Sequence, residues 1–258
     1  MKGILYYFSA TGNTKWVADQ IKDELKLHNM NLTIVNIEKA GKPIIDEYDF
    51  IIIGTPIHAE VAPKLVIDFL KSMPEGKEKK CIVYSTQGAK SGAAVDIIAG
   101  RLKAKGYNIL VKAMIQMPNN YYFMFGRNKP RFENKVLLHD ASKKIRNIID
   151  KVLKGDKHIE TVIGVRIPIA KITGAGFYKY IHKFSENIDA TNKCTGCGLC
   201  VRNCPKGNIT LENGHAVFHS NCMMCVRCIH VCPVNAVRYK KRSVIQTQKD
   251  IIKNLDLD

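Results

Sequence analysis

The chain has 258 residues, of which 46% are hydrophobic, and a formal net charge of +17 at pH 7. That length leaves room for one large domain with a sizeable core and for a smaller second domain. Charged residues interrupt every long apolar stretch and the opening run 1–8 has the pattern of a strand, so we expect neither a membrane span nor a signal peptide, and a cytoplasmic protein.

Short β-branched runs alternate with helical stretches over residues 1–155. The predicted strands lie at about 3–8, 32–37, 49–54, 80–85 and 108–116. The predicted helices are Lys15–Leu27, Ala62–Leu70, Gly92–Ala104 and Glu133–Leu153. This alternation predicts an α/β fold with a doubly wound, five-stranded parallel sheet covered by helices on both faces, and it leaves the strand order open.

The loop after the first predicted strand carries hydroxyl and amide donors. It contains, in order, Ser9, Ala10, Thr11, Gly12, Asn13 and Thr14. A helix follows at once, so the donors and the positive end of the helix dipole suit a phosphate group. Neither a Walker motif nor a dinucleotide fingerprint is present. The alternative is an ordinary Ser/Thr-rich turn with a helix cap.

This loop resembles the Thr/Ser-x-Thr-Gly-x-Thr phosphate loop of flavodoxins, which bind FMN. The resemblance covers about residues 1–155, and the loops after the third and fourth strands agree with it. It implies that two groups of residues hold the flavin ring: Thr55, Pro56, Ile57 and His58 on one side, and Thr86, Gln87 and Gly88 on the other. Unlike many flavodoxins, the chain has no aromatic residue in these two loops to stack on the flavin.

Several other residues have both a functional and a packing interpretation. The aromatic run Pro118–Phe125 could cover the flavin, face the C-terminal part of the chain, or pack the sheet edge. His58 could act in catalysis or simply contact solvent or backbone. For Trp16 and Cys81 we expect core packing.

A linker is predicted at 156–189. It begins as a loop with a possible Gly174-Ala175-Gly176 hinge and continues as an amphipathic helix. Phe177, Tyr180, Ile181 and Phe184 share one face of that helix, which we expect to dock on a domain.

Eight of the nine cysteines form two copies of one pattern, Cys-x2-Cys-x2-Cys-x3-Cys-Pro. This spacing predicts two 4Fe-4S clusters in which the fourth cysteine of each copy binds the cluster of the other copy. The first predicted ligand set is Cys194, Cys197, Cys200 and Cys232, and the second is Cys222, Cys225, Cys228 and Cys204. Structural zinc sites and disulfides are the alternatives, and neither explains the doubled spacing.

The segment 190–240 resembles a bacterial two-cluster ferredoxin. Between the two copies, Asn213-Gly214 predicts a tight hairpin turn. His230 could donate a hydrogen bond to a cluster sulfur or lie at the surface. The predicted division of the chain is therefore a flavodoxin-like domain at 1–155, the linker at 156–189, a small α+β ferredoxin domain at 190–240 and a tail at 241–258.

Together the two parts resemble the flavodoxin–ferredoxin fusion family of electron-transfer proteins. The first hypothesis is a relay of electrons between FMN, two 4Fe-4S clusters and an external redox partner. An alternative is an FMN-dependent reductase that acts on a small molecule, with His58 and Tyr121 or Tyr122 around its cavity. A third is a redox-responsive binding module. A redox carrier is favoured over a substrate-specific enzyme, and no catalytic residue is assigned.

The charge also bears on partners. A net charge of +17 is unusual for a flavodoxin and favours an acidic redox protein or an anionic substrate. Nucleic acid is disfavoured because no binding motif accompanies the charge. Without a nicotinamide fingerprint, electrons are expected to arrive from another protein. Oxygen-labile clusters also suggest a reducing interior and an anaerobic cell.

Overall fold

The computed structural model describes residues 1–89, 92–125, 131–247, 249–252, 255 and 257. The chain divides into two compact units. Unit 1 comprises Met1–Ser9, Asn13–Pro118 and Pro130–Gly174, and unit 2 comprises Ala10–Gly12, Asn119–Lys129 and Ala175–Asp258. Unit 1 continues past residue 155, whereas the short stretches Ala10–Gly12 and Asn119–Lys129 belong to unit 2.

Unit 1 is built on a six-stranded parallel sheet. Its strands are β1 (Lys2–Tyr7), β2 (Asn31–Asn36), β3 (Phe50–Pro56), β4 (Lys80–Gln87), β5 (Asn108–Gln116) and β6 (His158–Ile159). They lie in the order β2-β1-β3-β4-β5-β6, and the first five positions have the order of a flavodoxin-like sheet. The five predicted strands are confirmed. Strand β6 was not predicted, because two residues are too few to show a periodicity.

The described part of the chain contains helices that range from 4 to 23 residues. In order, the helices are α1 (Asn13–Leu27), α2 (Lys64–Ser72), α3 (Ala94–Ala104), α4 (Tyr122–Phe125), α5 (Arg131–Leu153), α6 (Arg166–Ser185), α7 (Leu199–Arg202), α8 (Arg227–Val231) and α9 (Lys249–Ile252). No helix in the described part of the chain is long and apolar enough to cross a membrane.

The sheet of unit 1 buries apolar side chains against helices. On one face, Val17, Ile21 and Leu25 of α1 pack with residues of the strands and of α5, and Trp16 lies partly buried beside them. Elsewhere Tyr6 of β1 meets Phe69 of α2 with 5.0 Å between ring centroids. Each large apolar side chain that is fully buried contributes roughly 1.5–3 kcal/mol, so this core is what holds the sheet and its loops in place.

A glycine near the end of β3 makes room for a tyrosine that reaches α1. A Cβ atom on Gly54 would lie 2.3 Å from the hydroxyl of Tyr84 in β4. That fully buried hydroxyl donates a hydrogen bond of 2.9 Å to the carbonyl oxygen of Thr14, in the first turn of α1. Gly54 therefore allows the sheet to anchor the helix start that follows the predicted phosphate loop.

Unit 2 contains two small antiparallel sheets. Strands β7 (Ile188–Ala190), β10 (Val237–Tyr239) and β11 (Arg242–Ser243) form one sheet in the order β11-β10-β7. Strands β8 (Ile209–Glu212) and β9 (His215–Phe218) form the other. Asn213 and Gly214 join them with φ of 48° and 78°, which confirms the predicted hairpin turn.

Helix α6 corrects two predictions for the linker. It begins at Arg166, so Gly174-Ala175-Gly176 lies within a helix and not in the predicted loop. A Cβ atom on Gly174 would lie 2.7 Å from Val61, which shows why a small residue is needed there. Of the predicted docking face, Phe177 and Ile181 pack on the core of unit 2. Tyr180 is 47% exposed.

The aromatic run after β5 is part of the core of unit 2. Tyr122 is buried there, with Tyr121 and Phe123 partly buried against it. The hydroxyls of Tyr121 and Tyr122 donate to the carbonyl oxygens of Met224 and Ile245. Of the interpretations given for this run, the one that associates it with the C-terminal part of the chain is confirmed.

Replacing Gly54 by alanine tests the role given to this glycine. We expect Gly54→Ala to lower the free energy of unfolding of unit 1 by about 1–3 kcal/mol, because the added methyl group displaces the buried Tyr84 ring. Chemical denaturation followed by the fluorescence of Trp16, the one tryptophan of the chain, measures this.

The matched control is Gly100→Ala in α3. Apart from its own helix backbone, no described residue lies within 4 Å of the Cβ position at Gly100, so that change is expected to stabilise the helix by about 0.5–1 kcal/mol. Equal effects of the two substitutions would contradict the steric role of Gly54.

Candidate functional site

Three loops of unit 1 meet at the carboxyl edge of its sheet. Strands β1, β3 and β4 are neighbours and parallel, so the loops that follow them leave the sheet on the same side. The hydroxyl oxygens of Thr14 and Thr86 share a hydrogen bond of 2.8 Å, and the amide of Ile57 donates to the carbonyl oxygen of Thr86 at 3.1 Å. The structure thus brings together residues of all three predicted flavin loops.

The remaining residues of the second and third loops are ordered by short contacts. Thr55 and Gln87 are buried, and the Gln87 side-chain oxygen accepts a hydrogen bond of 2.8 Å from Ser85. The carbonyl oxygen of Gly88 accepts one of 3.2 Å from the side chain of Gln116. Pro56, at the end of β3, is half-buried. These groups stand where ligands of open α/β sheets bind.

His58 is deeply buried. The residue is only 4% exposed. Its backbone N–H donates to the carbonyl oxygen of Val61, and the N–H of Val61 donates to the carbonyl oxygen of His58. Burial lowers the pKa of His58 from 6.5 to about 4, since the charged imidazolium would lose its hydration. The ring is therefore neutral near pH 7, and the expectation of solvent contact is wrong.

Asn13 offers an unsatisfied acceptor in the first loop. Its side-chain nitrogen donates a hydrogen bond of 2.9 Å to the carbonyl oxygen of Pro118. Its Oδ1 is buried and has no hydrogen-bond partner among the described residues. With the buried hydroxyls of Ser9 and Thr14, the loop therefore presents donors that suit a phosphate and an acceptor that suits a ribityl hydroxyl, and this set fits FMN.

The centre of the same loop belongs to unit 2 and is held by two of its side chains. The side-chain nitrogen of Asn120 donates to Thr11 Oγ1, and Arg227 Nε donates to the carbonyl oxygen of Ala10 at 2.8 Å. Asn120 in turn accepts a hydrogen bond from His230 Nε2 at 3.0 Å through its carbonyl oxygen. The hydroxyl of Thr247 donates to its side-chain oxygen at 3.1 Å.

His230 has a different environment from either of those expected. It is only 3% exposed, so the surface position is wrong. Its Nδ1 accepts a hydrogen bond from the amide of Thr247 and its Nε2 donates to Asn120, so both ring nitrogens have partners other than a sulfur. Burial lowers the pKa of His230 to about 4, and the bond to Asn120 opposes this shift.

Gly12 has a positive φ of 96° and a close neighbour from the C-terminal segment. A Cβ atom there would lie 2.5 Å from the side chain of Ile251 and 2.9 Å from its carbonyl oxygen. Because Gly12 has no Cβ atom, Ile251 of α9 can lie close to its backbone. The segment predicted as a tail takes part in packing, since Ile252 and Leu255 are also buried.

The eight patterned cysteines line two recesses in unit 2. One recess is lined by Cys194, Cys197, Cys200 and Cys232. The other is lined by Cys204, Cys222, Cys225 and Cys228. Among the described residues, no three His, Cys, Asp or Glu side chains converge on a point for a single metal ion. Each recess thus holds three cysteines of one copy and the fourth of the other.

The two copies share backbone geometry at an offset of 28 residues, the separation of Cys194 and Cys222. The amides of Asn208 and Ala236 donate to the sulfurs of Cys204 and Cys232 at 3.3 and 3.2 Å. Left-handed backbone also recurs at this offset, in three pairs: Gly196 and Met224, Gly198 and Val226, and Gly207 and Asn235. The sequence repeat is thus a structural repeat.

Burial sets the ionisation of several thiols. It raises the pKa of Cys200 to about 11 and that of Cys225 to about 12, although the charge of Arg227 acts in the opposite direction at Cys225. Burial also raises the pKa of Cys81 in β4, which lies outside both recesses. Cys81 is fully buried, and the prediction of core packing is confirmed for it.

The sheet order, its loops and the doubled cysteine repeat define a protein that joins a flavodoxin-like part to a dicluster iron–sulfur part. Comparison with known families agrees: the flavodoxin domain family matches residues 4–95, and the 4Fe-4S dicluster domain family matches 186–249. One chain thus combines a flavodoxin domain with a 4Fe-4S dicluster domain. Such domains imply FMN, iron–sulfur clusters, an electron-transfer role and a redox partner.

Relatives of known sequence each match part of the chain. An uncharacterized protein of Methanocaldococcus jannaschii is 30% identical over 160 residues, which are 60% of this chain and 99% of that protein. A flavodoxin of Megasphaera elsdenii is 27% identical over 120 residues, which are 45% of this chain and 88% of the relative.

Similar solved structures include other flavodoxins. A solution structure of the two-electron reduced flavodoxin of Megasphaera elsdenii has a TM-score of 0.42 at 26% identity, and covers 55% of this chain and 99% of its own. A crystal structure of Fusobacterium nucleatum flavodoxin bound to flavin mononucleotide has a TM-score of 0.43 at 17% identity. The match covers 60% of this chain and 99% of the flavodoxin chain.

Three residues of the candidate site were not identified from the sequence: Asn120, Arg227 and Ile251. Each acts through a partner more than 100 residues away in the chain. Local periodicity carries no information on such pairs. The one available sign was the 28-residue repeat, in which Arg227 replaces a leucine of the first copy.

The buried, neutral state of His58 predicts an acid-sensitive unit 1. The folded pKa of about 4 lies below the unfolded value of 6.5, so the unfolded chain binds the extra proton first. Stability contributed by this difference is present above pH 6.5 and is lost as the pH falls toward 4, by about 3 kcal/mol in total.

Substitution of His58 by asparagine should remove this part of the acid sensitivity. We expect the free energy of unfolding of His58→Asn, from denaturation at several pH values followed by Trp16 fluorescence, to fall less between pH 6.5 and 4 than that of the wild type. His139→Asn, at an exposed position of α5, is the control and should retain the wild-type slope. A parallel slope for His58→Asn would argue against a buried neutral ring.

Proposed function

We propose that this protein is an electron relay in which FMN and two 4Fe-4S clusters on one chain exchange electrons with an external redox protein. FMN accepts two electrons and each cluster accepts one, so their combination connects two-electron and one-electron traffic. The loop residues Ser9–Thr14, Thr55–His58 and Thr86–Gly88 would hold FMN. The eight patterned cysteines would hold the clusters.

The observation that carries the proposal is a hydrogen-bonded path between the two kinds of candidate site. His230 lies between Cys228 and Cys232 and donates to Asn120, which donates to Thr11 of the phosphate loop. All three side chains are buried. These bonds of unit 2 join the segment that carries cluster ligands to a residue of the loop proposed to hold the flavin phosphate.

The assignment of cluster ligands is supported by the composition of the two recesses. Each is lined by four cysteines in the crossed arrangement that the spacing predicts. Amide hydrogens directed at Cys204, Cys222 and Cys232 support thiolate ligands, because such bonds stabilise negative charge on sulfur. Two clusters per chain are accordingly proposed.

The assignment of FMN to the loops is supported by their donors and acceptors. Ser9, Thr11 and Thr14 provide buried hydroxyls, and α1 provides the amides of a helix start. These groups would bind the phosphate and neutralise part of its charge. The loops at Thr55–His58 and Thr86–Gly88 would orient the flavin ring and limit its contact with water.

The external partner is proposed to be an acidic redox protein. The net charge of +17 favours encounter with an anionic surface and makes the association rate fall with ionic strength. A cytoplasmic location is proposed because eight reduced cysteines must be available for cluster assembly.

A substrate-specific reductase is a weaker candidate. That hypothesis placed His58 and Tyr121 or Tyr122 around an open cavity over the flavin. Both hydroxyls instead donate to main-chain carbonyl oxygens of unit 2. His58 is neutral near pH 7 because of its low pKa.

The relay is tested by anaerobic purification followed by one reductive titration. Close to one FMN and about eight irons per chain, with flavin absorbance and cluster EPR both responding to one reductant, are expected. About eight irons without flavin would contradict the FMN assignment. Turnover of a small molecule in the absence of a protein partner would favour the reductase.

Serine substitution of Cys204 tests the crossed ligand sets. We expect Cys204→Ser to lose about half of the iron and sulfide, because one recess lacks a ligand while the other keeps all four. Iron analysis and EPR of the anaerobically purified protein measure this. Cys81→Ala, outside both recesses, is the control and should retain all iron. Full iron content in Cys204→Ser would refute the assignment.

Alanine substitution of Asn120 tests the link to the phosphate loop. We expect Asn120→Ala to weaken FMN binding about 2–10-fold, because Thr11 loses one hydrogen-bond donor. Quenching of FMN fluorescence gives the dissociation constant. Asn119→Ala is the control, since Asn119 accepts from the amide of Tyr121 and contacts no loop residue by that bond. The same loss in both variants would count against a specific role of Asn120.

A further inference from the structure

The 28-residue repeat reveals one buried charge difference between the two recesses; a second cation, Lys206, stands at the position equivalent to Val234 but is exposed to solvent. Leu199, the first residue of α7, corresponds to Arg227, the first residue of α8. Leu199 lines the recess of Cys194, Cys197, Cys200 and Cys232, and Arg227 lines the other recess. Equivalent positions next to the two cysteine sets therefore hold a neutral side chain in one copy and a cation in the other.

Arg227 is fixed within its surroundings. The residue is only 5% exposed. Its Nη1 donates to the carbonyl oxygen of Asn203 at 2.9 Å, and its Nε donates to that of Ala10 at 2.8 Å. Asn203 directly precedes Cys204, and Arg227 itself directly precedes Cys228. Arg227 and the residue that accepts its Nη1 bond, Asn203, therefore each lie next to a cysteine of the same proposed cluster.

A cation in this position acts on the charge of the cluster. Reduction adds an electron to a group that its thiolate ligands already make anionic. A fixed positive charge stabilises the added electron, and the stabilisation is larger in a buried environment of low dielectric constant than at a solvated surface. Leu199 provides no such charge beside the other recess.

We propose that Arg227 raises the reduction potential of the cluster bound by Cys204, Cys222, Cys225 and Cys228 and leaves that of the other cluster nearly unchanged. This inference rests on the proposed function, because it requires both clusters. Its consequence is an inequivalent pair, in which Arg227 biases electrons toward the second copy of the repeat.

The test compares three arginine variants in the full-length protein with its cofactors bound. Arg227→Gln removes the charge and keeps much of the side-chain length, whereas Arg227→Lys keeps the charge. Arg202→Gln is the matched control: Arg202 donates to the carbonyl oxygen of Cys197 at 3.1 Å but is exposed, so solvent screens its charge. Iron, sulfide and FMN contents are measured for each.

Redox titration followed by EPR should resolve the two cluster steps. In Arg227→Gln we expect the reduction potential of one step to fall while that of the other step stays in place. The fall should change the ratio of reduced to oxidised cluster at least tenfold, which is about 59 mV for one electron. Arg227→Lys should retain most of the wild-type potential. Arg202→Gln should produce a smaller shift than Arg227→Gln.

The reciprocal change keeps the test decisive if Arg227→Gln fails to assemble. Leu199 is half-buried, so Leu199→Arg can direct its charge beside the other recess and should raise the potential of the other step. Unchanged steps in Arg227→Gln with full iron content would overturn the proposal. So would an equal decrease in Arg227→Lys, which would indicate lost hydrogen bonds and not lost charge. Fewer than about eight irons in the wild type would instead contradict the proposed two-cluster function.

Discussion

The C-terminal unit depends on one exchange between the copies of its cysteine repeat. Cys204 lies in the recess lined by three cysteines of the second copy, and Cys232 lies in the recess lined by three of the first. Neither copy can complete a recess alone, so the two halves must form together. This requirement gives a unit with strands of only two to four residues a defined geometry, which its small core would not enforce by itself.

The exchange imposes the same backbone conformation on both copies. The first copy has glycines at two left-handed positions, whereas the second copy has larger residues there. Left-handed backbone occurs at Gly196 and Gly198, and at Met224 and Val226 in the equivalent positions. A side chain in that conformation costs roughly 1–2 kcal/mol. Met224 and Val226 are fully or almost fully buried in the core of unit 2, and burial of such side chains contributes roughly 1.5–3 kcal/mol each. Packing therefore compensates for the strain.

Local patterns determined what could be predicted from the sequence. The five strands, the hairpin at Asn213-Gly214 and the two cysteine sets each follow from periodicity or spacing within a short segment. The start of α6 could not be predicted, because packing of Gly174 on Val61 overrides the low helix propensity of its glycines. The buried state of His230 depends on Asn120, 110 residues away, and no local pattern records that pair.

The same long-range bonds couple the phosphate loop to the cysteine repeat. Arg227 and Asn120 are buried donors, and loss of an acceptor on Ala10 or Thr11 would leave a buried polar group unsatisfied, at a cost of roughly 1–3 kcal/mol. The bonded form of the loop and the bonded form of the repeat therefore stabilise each other. Because such coupling is reciprocal, any ligand that favours one of these forms must also favour the other.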